Sequence, residues 1–376
     1  MAEYLTNTTD LTKVASAIRE KGGTSASLVY PDGFVTAIQA IQTGTKLKII
    51  VTVKSGATVT ATKGSLSVSG TSVNGTCTLT VPEAGTWSVS ATLNGEKSDT
   101  KSVTFKDSYS VALHFVSSVL NDNDWATIKA VSDKGEGANY WSIGDRKAVT
   151  LNGTVGKLSL SNVTTYAFII GFNHNASVEG ANRIHFQFAK TALSGGKDVC
   201  FCDNDYLSQV SATGYFSMNA SYTNSGGWDS SQMRTNICGT NLSSYSGTII
   251  AVIPAALRAV LKSVTKYTDN TGNKSTAASA VTATTDYFFL LSEYEVFGSI
   301  SSANPNEASK QAQYAYYAAG NSKIKYNHSE ITKAALWWLR SPAARNPNYF
   351  QLVYTSGDIS FGNSNFSLGF APGFCV

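Results

Sequence analysis

Charge is scarce in this chain. Only 14% of its residues are Asp, Glu, Lys or Arg, against about 25% in ordinary globular proteins, and Ser, Thr, Asn and Gly take their place. The net charge of +4 is spread along the sequence. No Lys/Arg cluster tracks phosphates, so nucleic acid is not expected as a partner. Cysteine is also sparse: Cys77, Cys200, Cys202, Cys238 and Cys375 are an odd set that makes no disulfide framework. The longest apolar runs, around 166–172 and 287–291, are too short to span a bilayer, so no membrane insertion is expected. The start, Met1-Ala2-Glu3-Tyr4-Leu5-Thr6, lacks a basic region and an apolar segment, so no secretory leader is expected.

Catalytic signatures are missing too. There is no Gly-x-Ser-x-Gly elbow, phosphate-binding glycine loop or nucleotide fingerprint. No pair of carboxylates stands out for glycoside hydrolysis. His114, His174, His185 and His328 have no metal-ligand spacing, and His174, at the end of an apolar strand, reads as a structural, hydrogen-bonded residue. Asn121-Asp122-Asn123-Asp124 and Asp203-Asn204-Asp205 are acidic-amide clusters. Neither continues into a calcium loop with its glycine and distal Glu, and solvated turns are the simpler reading, with calcium at Asp122/Asp124 or Asp203/Asp205 left open. No catalysis, metal or cofactor is expected.

What is present falls into three parts, to be expected in a chain of 376 residues. Residues 1–44 read as two short helices. Asn7-Thr8-Thr9-Asp10 offers N-cap side chains, and Leu11, Val14, Ala15 and Ile18 make an apolar stripe. Lys21-Gly22-Gly23 closes it, Pro31-Asp32-Gly33 turns the chain, and Phe34, Ile38 and Ile41 form a second stripe. Residues 46–106 switch to period two: Leu47, Ile49, Val51 and Val53, then Leu66 and Val68, then Cys77, Leu79 and Val81, then Trp87, Val89, Ala91 and Leu93. Turn signals at Asn74-Gly75 and Asn94-Gly95 separate them, which predicts a small antiparallel β-sandwich. Residues 107–376 read as one α+β region. Strands are expected at Ser110–Phe115, Thr164–Phe172, Ile184–Phe188 and Phe288–Leu291, and helices at Pro254–Val264 and Asn306–Tyr317.

The last forty-odd residues hold two apolar blocks, from Leu336 to Pro342 and from Gly369 to Val376, around a patch rich in Asn, Ser, Tyr and Gly. Binding surfaces use that palette, because Tyr gives rigid contact area and the small polar residues give adaptable hydrogen bonds. Hairpin turns use it as well, and composition leaves both readings open.

Three resemblances sharpen the picture. Leu11-Thr12-Lys13-Val14-Ala15-Ser16-Ala17-Ile18-Arg19-Glu20-Lys21-Gly22-Gly23-Thr24-Ser25, followed by Tyr30-Pro31-Asp32-Gly33-Phe34, resembles N-terminal regions of phage tail and baseplate proteins. That implies attachment to a phage particle, with other tail or baseplate proteins as partners. The Pro82-to-Val89 run resembles immunoglobulin-like or transthyretin-like spacer modules. The blocks Trp141–Asp145, Ile169–His174, Gly226–Arg234, Ile253–Leu257, Thr284–Gly298 and Trp337-Trp338-Leu339-Arg340-Ser341-Pro342 resemble a domain family of undefined function in gut-bacterial and phage surface proteins, with a C-type-lectin-like fold.

That family's C-terminal segment also resembles the variable region of proteins diversified by retroelements. The resemblance implies candidate contact residues at Arg345, Asn346, Asn348, Tyr349, Gln351, Tyr354, Asp358, Ser360, Asn363, Asn365 and Ser367. Cys200 and Cys202, two apart in an unrelated context, do not match the paired-cysteine site of copper-dependent formylglycine-type oxidation in some lectin-like relatives. Asp145-Arg146 and Trp228…Arg234 read as buried pairs that organise loops, with a small-molecule pocket at Trp228 as the alternative. Together these imply a virion protein of the phage tail or baseplate. It is expected to be homotrimeric and to bind a host cell-surface receptor, protein or glycan. The alternatives are a structural tail component and a bacterial surface adhesin.

Overall fold

A computed structural model describes residues 8–22, 27–40 and 47–376. The chain divides into two compact units, Met1–His114 and Phe115–Val376. It is built mostly of small β-sheets.

The first unit opens with helices α1 (Thr8–Gly22) and α2 (Asp32–Ala40). Ala15, Ile18 and Phe34 are buried between them with Leu11, Leu28 and Ala37 at the edge. Two members of the expected stripes, Val14 and Ile38, are exposed instead. A two-helix pair has one shared seam, and residues a third of a turn off it stay outside. Asn7, Gly23 and Ile41 lie outside the described residues.

Eight strands follow: β1 (Leu47–Thr52), β2 (Thr58–Lys63), β3 (Leu66–Thr71), β4 (Thr76–Val81), β5 (Gly85–Leu93), β6 (Glu96–Lys97), β7 (Lys101–Phe105) and β8 (Tyr109–Ala112). They form one sheet ordered β4-β1-β8 and another ordered β3-β2-β5-β6, with β7 also on β5. Alternation decides which side chains turn inward: Ile49, Val51, Val59, Ala61, Trp87 and Val89 are fully buried. Asn74-Gly75 and Asn94-Gly95 both take consecutive positive φ angles, the backbone of a two-residue hairpin turn.

One pairing departs from the antiparallel expectation, since β8 lies parallel to β1, from Ile49↔Tyr109 to Thr52↔Ala112. A parallel partner needs a long crossover, and here the intervening strands supply it. The unit therefore extends to His114 rather than to residue 106, and the strand expected at Ser110–Phe115 belongs to it.

The second unit is organised by a five-stranded antiparallel sheet. The unit's strands in chain order are β9 (Arg146–Val155), β10 (Leu158–Phe172), β11 (Ile184–Lys190), β12 (Val199–Cys200), β13 (Val264–Asp269), β14 (Val281–Asp286) and β15 (Phe288–Phe289). After them come β16 (Lys325–Asn327), β17 (Glu330–Ala335), β18 (Trp337–Pro342), β19 (Tyr349–Val353), β20 (Ile359–Asn363) and β21 (Gly373–Cys375). The main sheet runs β15-β21-β11-β10-β9, and β12-β16-β17, β13-β14 and β18-β19-β20 form smaller sheets. Every residue of β11 is buried. Phe186, Phe188, Phe288 and Phe374 stack at its centre, with ring centroids 5.1–6.1 Å apart.

The helices are short: α3 (Trp125–Asp133), α4 (Gly137–Tyr140), α5 (Ala176–Glu179), α6 (Ile249–Val252), α7 (Ala255–Arg258), α8 (Glu293–Phe297) and α9 (Ala315–Ala318). None is long and apolar enough to cross a membrane.

Both helices expected from periodicity are cut short. Leu257, Val260, Leu261 and Val264 are buried as the pattern demands, yet α7 ends at Arg258, Lys262 donates its N–H to the Cys375 carbonyl, and Val264 begins β13. The segment expected at Asn306–Tyr317 splits into a 3₁₀ turn, Pro305–Lys310, and α9. Between them Gln311 bonds the Tyr267 carbonyl and the Ser292 hydroxyl, and Tyr314 N–H bonds the Glu295 carbonyl. Tertiary hydrogen bonds have replaced helical ones there.

Candidate functional site

Strands β18, β19 and β20 form a hairpin-like sheet whose two faces differ. Register pairs Tyr349 with Asn363, Gln351 with Phe361 and Val353 with Ile359, so these six side chains share one face. Phe350, Leu352, Ser360 and Gly362 share the other. There a Cβ on Gly362 would meet Leu352 at 2.9 Å and the Trp338 ring at 3.3 Å, which ties that face to the core. On the first face Tyr349 and Phe361 stack at 5.4 Å with 15° between planes, and Tyr222 meets Tyr349 edge-on at 6.3 Å. Phe361 is 52% exposed and Tyr222 47%. The Tyr222 hydroxyl beside it raises the Tyr349 phenol above its usual pKa. A cavity of about 280 Å³ opens against this pair, lined by Ser302, Ala343, Arg345, Asn346, Tyr349 and Phe361.

Asn224 holds the cavity wall in place. Its side-chain N–H groups donate to the carbonyls of Ala343 (3.3 Å), Asn346 (2.9 Å) and Tyr349 (2.8 Å), its Oδ1 accepts from Asn273 N–H (2.8 Å), and its backbone N–H donates to the Pro347 carbonyl. The fit is close. Gly272 has φ +63°, and a Cβ there would stand 2.0 Å from the Asn224 carbonyl oxygen. Asn224→Ala removes the side-chain donors to the Ala343 and Asn346 carbonyls and the acceptor of Asn273 N–H, while the Tyr349 carbonyl keeps Ala343 N–H, at about 1–3 kcal/mol for each buried group left unpaired. It is expected to cost about 2–4 kcal/mol of stability and to speed amide hydrogen exchange across 343–349, read by denaturant unfolding and exchange mass spectrometry.

The expected contact residues separate into groups. Arg345, Asn346 and Tyr349 meet at the cavity, with Asn363 opposite Tyr349. Asn346 Oδ1 accepts from Asn348 N–H, and the Asn348 carbonyl accepts from Ser364 N–H, so both shape the loop. Tyr354 and Asp358 are exposed on the β19–β20 turn. Five residues along an extended strand, roughly 17 Å, separate Tyr354 from Tyr349. Ser360 points to the face opposite Tyr349.

Gln351 and Ser367 are fully buried, which removes them from any outer surface. Ser367 donates to Asp203 Oδ1 at 2.6 Å, and neither polar atom of the Gln351 side chain has a hydrogen-bond partner. Asn365 is half-buried with its Oδ1 likewise unpartnered. Sequence reasoning missed Phe361, Tyr222, Ser302 and Asn224. An exposed Phe in an alternating strand reads as core, and the other three come from distant loops.

Other clusters are structural. His174, Glu179 and Glu295 each bring a ligand atom within 4.8 Å of the others, but an ammonium already occupies the position. Lys266 Nζ lies 2.7 Å from Glu179, 2.8 Å from Glu295 and 2.8 Å from the Tyr314 hydroxyl, and Arg340 binds both Glu295 oxygens. Burial resists ionisation of Glu295, but Arg340 and Lys266 outweigh it and hold its carboxyl well below the usual range. Burial pushes Glu179 up to about 7 despite Lys266, and burial with the Lys266 charge lowers His174 to about 3. Lys266 and Arg340 thus take up the carboxylate oxygens of Glu179 and Glu295.

The acidic-amide clusters are likewise accounted for. Asp124 caps α3 through Thr127 N–H, and Lys147 donates to the carbonyls of Asn121 and Asn123. Asp203 accepts from Asp205 N–H, Phe216 N–H and Ser367. Trp228 is fully buried, and it and Arg234 both donate to Asp286. Arg146 binds the carbonyls of Ala192 and Gly195. Cys200 and Cys202 are buried free thiols with sulfurs 3.9 Å apart, and the contact with Cys200, added to by burial, pushes the Cys202 pKa far up, so its thiolate is disfavoured.

Comparison with known proteins places one segment. A family model described as a domain of unknown function, DUF6273, matches residues 200–376. The matched span runs from the last residue of β12 through β21 and contains the whole aromatic face, whereas β9, β10 and β11 lie outside it. No curated protein and no solved structure matches the chain.

Proposed function

We propose that the second unit is a non-catalytic recognition domain, and that the face carrying Tyr222, Tyr349 and Phe361 is its receptor-binding surface. One observation carries this reading: large aromatic side chains stand partly exposed, Tyr349 and Phe361 on a sheet and Tyr222 on the loop against them, beside a cavity whose wall is hydrogen-bonded to Asn224. Buried aromatic anchors dominate binding energies, and rigid presentation lowers the entropic cost of association. The resemblance of residues 11–34 to phage tail and baseplate proteins supports a place on a phage particle. The first unit would then serve as attachment segment and immunoglobulin- or transthyretin-like spacer, the second unit as a lectin-like head, and homotrimeric assembly would add avidity.

Adsorption of fluorescently labelled full-length chain to candidate host bacteria tests the proposal. Saturable staining is expected, reduced about 100-fold or more by Tyr349→Ala with Phe361→Ala in a variant whose melting temperature matches the parent. Undiminished staining by that variant moves the site elsewhere.

A further inference from the structure

We propose, resting on the reading above, that the cavity beside Tyr349 takes a carboxylate-bearing sugar ring of an acidic cell-surface polysaccharide. Arg345 provides the first argument. Arg146, Arg183, Arg234, Arg258 and Arg340 each donate to carbonyls or carboxylates, and Arg19 bonds Ser16. Arg345 alone among the described arginines holds nothing, and it lies exposed at the cavity. No carboxylate lines the cavity with it. A guanidinium fork is matched to a carboxylate, which it binds through two parallel hydrogen bonds.

The remaining lining selects the rest of the ligand. The Tyr349–Phe361 stack offers an electron-rich ring face to the C–H bonds of a pyranose, while Ser302 and Asn346 offer both donors and acceptors for hydroxyl groups. A volume of about 280 Å³ lies just below the range of drug-sized pockets, about 300–1,000 Å³. It suits one sugar ring better than a protein surface, which buries about 800 Å² per partner. A lone arginine is too little for nucleic acid.

The test uses the full-length chain on an array of uronate- and sialate-bearing oligosaccharides, each beside the same oligosaccharide with its carboxylates reduced to alcohols. The expected result is saturable binding of acidic members that falls about 10-fold or more on carboxylate reduction and with Arg345→Ala. Arg345→Lys should retain part of it, and added salt should weaken it. Arg345 is exposed, so its variants keep the parent's melting temperature. Binding indifferent to carboxylate reduction or to Arg345, or no acidic saccharide bound, overturns the proposal.

Cell staining separates this failure from that of the underlying reading. Staining lost with Tyr349→Ala/Phe361→Ala but kept with Arg345→Ala retains the receptor face and rejects the acidic sugar. Staining kept by both variants rejects the face itself. Arg345-dependent staining removed by protease digestion of the cells assigns the guanidinium to an acidic protein and also rejects the saccharide.

Discussion

Glu295→Ala is expected to lower the stability of the second unit by about 3–5 kcal/mol, the usual cost of removing one partner of a buried ion pair. The loss has two sources. Glu295 closes a capping box at α8, accepting from Ser292 N–H (3.0 Å) while its own N–H donates to Ser292 Oγ (3.1 Å). Its carboxylate is also the common partner of Lys266 and Arg340, both fully buried. Without it, two buried cations face Glu179 alone. Glu295→Gln keeps the cap's shape and removes only the charge, so it should fall between wild type and alanine. Replacing Glu295 and Arg340 together by Gln and Met should recover part of the loss, because a missing pair costs less than half of one. Thermal unfolding followed by tryptophan fluorescence reads this directly, since five of the six tryptophans lie in the second unit and only Trp87 in the first. The expected fall is about 10 °C. A change below about 1 kcal/mol would show that the network behaves as a surface pair.

Glu307→Gln is expected to gain stability relative to wild type as pH rises from 5 to 8, by up to about 3 kcal/mol. Glu307 is fully buried, accepting from Asp269 N–H (2.9 Å), the Ser341 hydroxyl (2.6 Å) and Gln311 (3.3 Å). Burial pushes its carboxyl up to about 7, against hydrogen bonds and Arg340 that pull it down. In the unfolded chain it ionises near the ordinary value, about 4.3. Between those two values the folded state holds the proton and the unfolded state releases it, so wild-type stability falls as pH climbs through the window and levels off above it. Glutamine has no proton to release. Glu179, also raised to about 7, and the depressed histidines act equally in both proteins, and the difference between the two denaturation series isolates Glu307. Parallel pH profiles would refute the assignment.

Much of the local structure was legible in the residues themselves. Alternation marked Ile49, Val51, Trp87 and Val89 as inward-facing, and Asn-Gly pairs marked two hairpin turns, because side-chain period and positive φ are properties of a few neighbouring residues. The aromatic block Trp337-Trp338 announced a buried anchor, and the Asn- and Tyr-rich patch after it announced the region of Arg345, Asn346 and Tyr349. Periodicity also found the right buried residues at Leu257, Val260 and Leu261, while the wrong element was inferred around them. A short apolar pattern fits a helix or a turn leading into a strand, and the partner of Lys262 and Val264 decided between them.

The tertiary structure alone decided which candidates share a surface. Gln351 and Ser367 look as polar as Tyr349 and Asn363, yet both are fully buried, Gln351 on the strand face of Tyr349 and Ser367 against Asp203. The register of β19 against β20 turned Ser360 away and brought Phe361 to the surface, since a slip of one residue reverses every face. The sequence by itself determined the small-strand architecture, the scarcity of charge and the polar, aromatic C-terminal patch, because composition and short-range pattern carry those. Asn224 behind Tyr349, and Lys266 and Glu295 beside Arg340, meet only after loops of tens to more than a hundred residues have closed. Which distant groups then satisfy one another is settled by burial and hydrogen-bond geometry together.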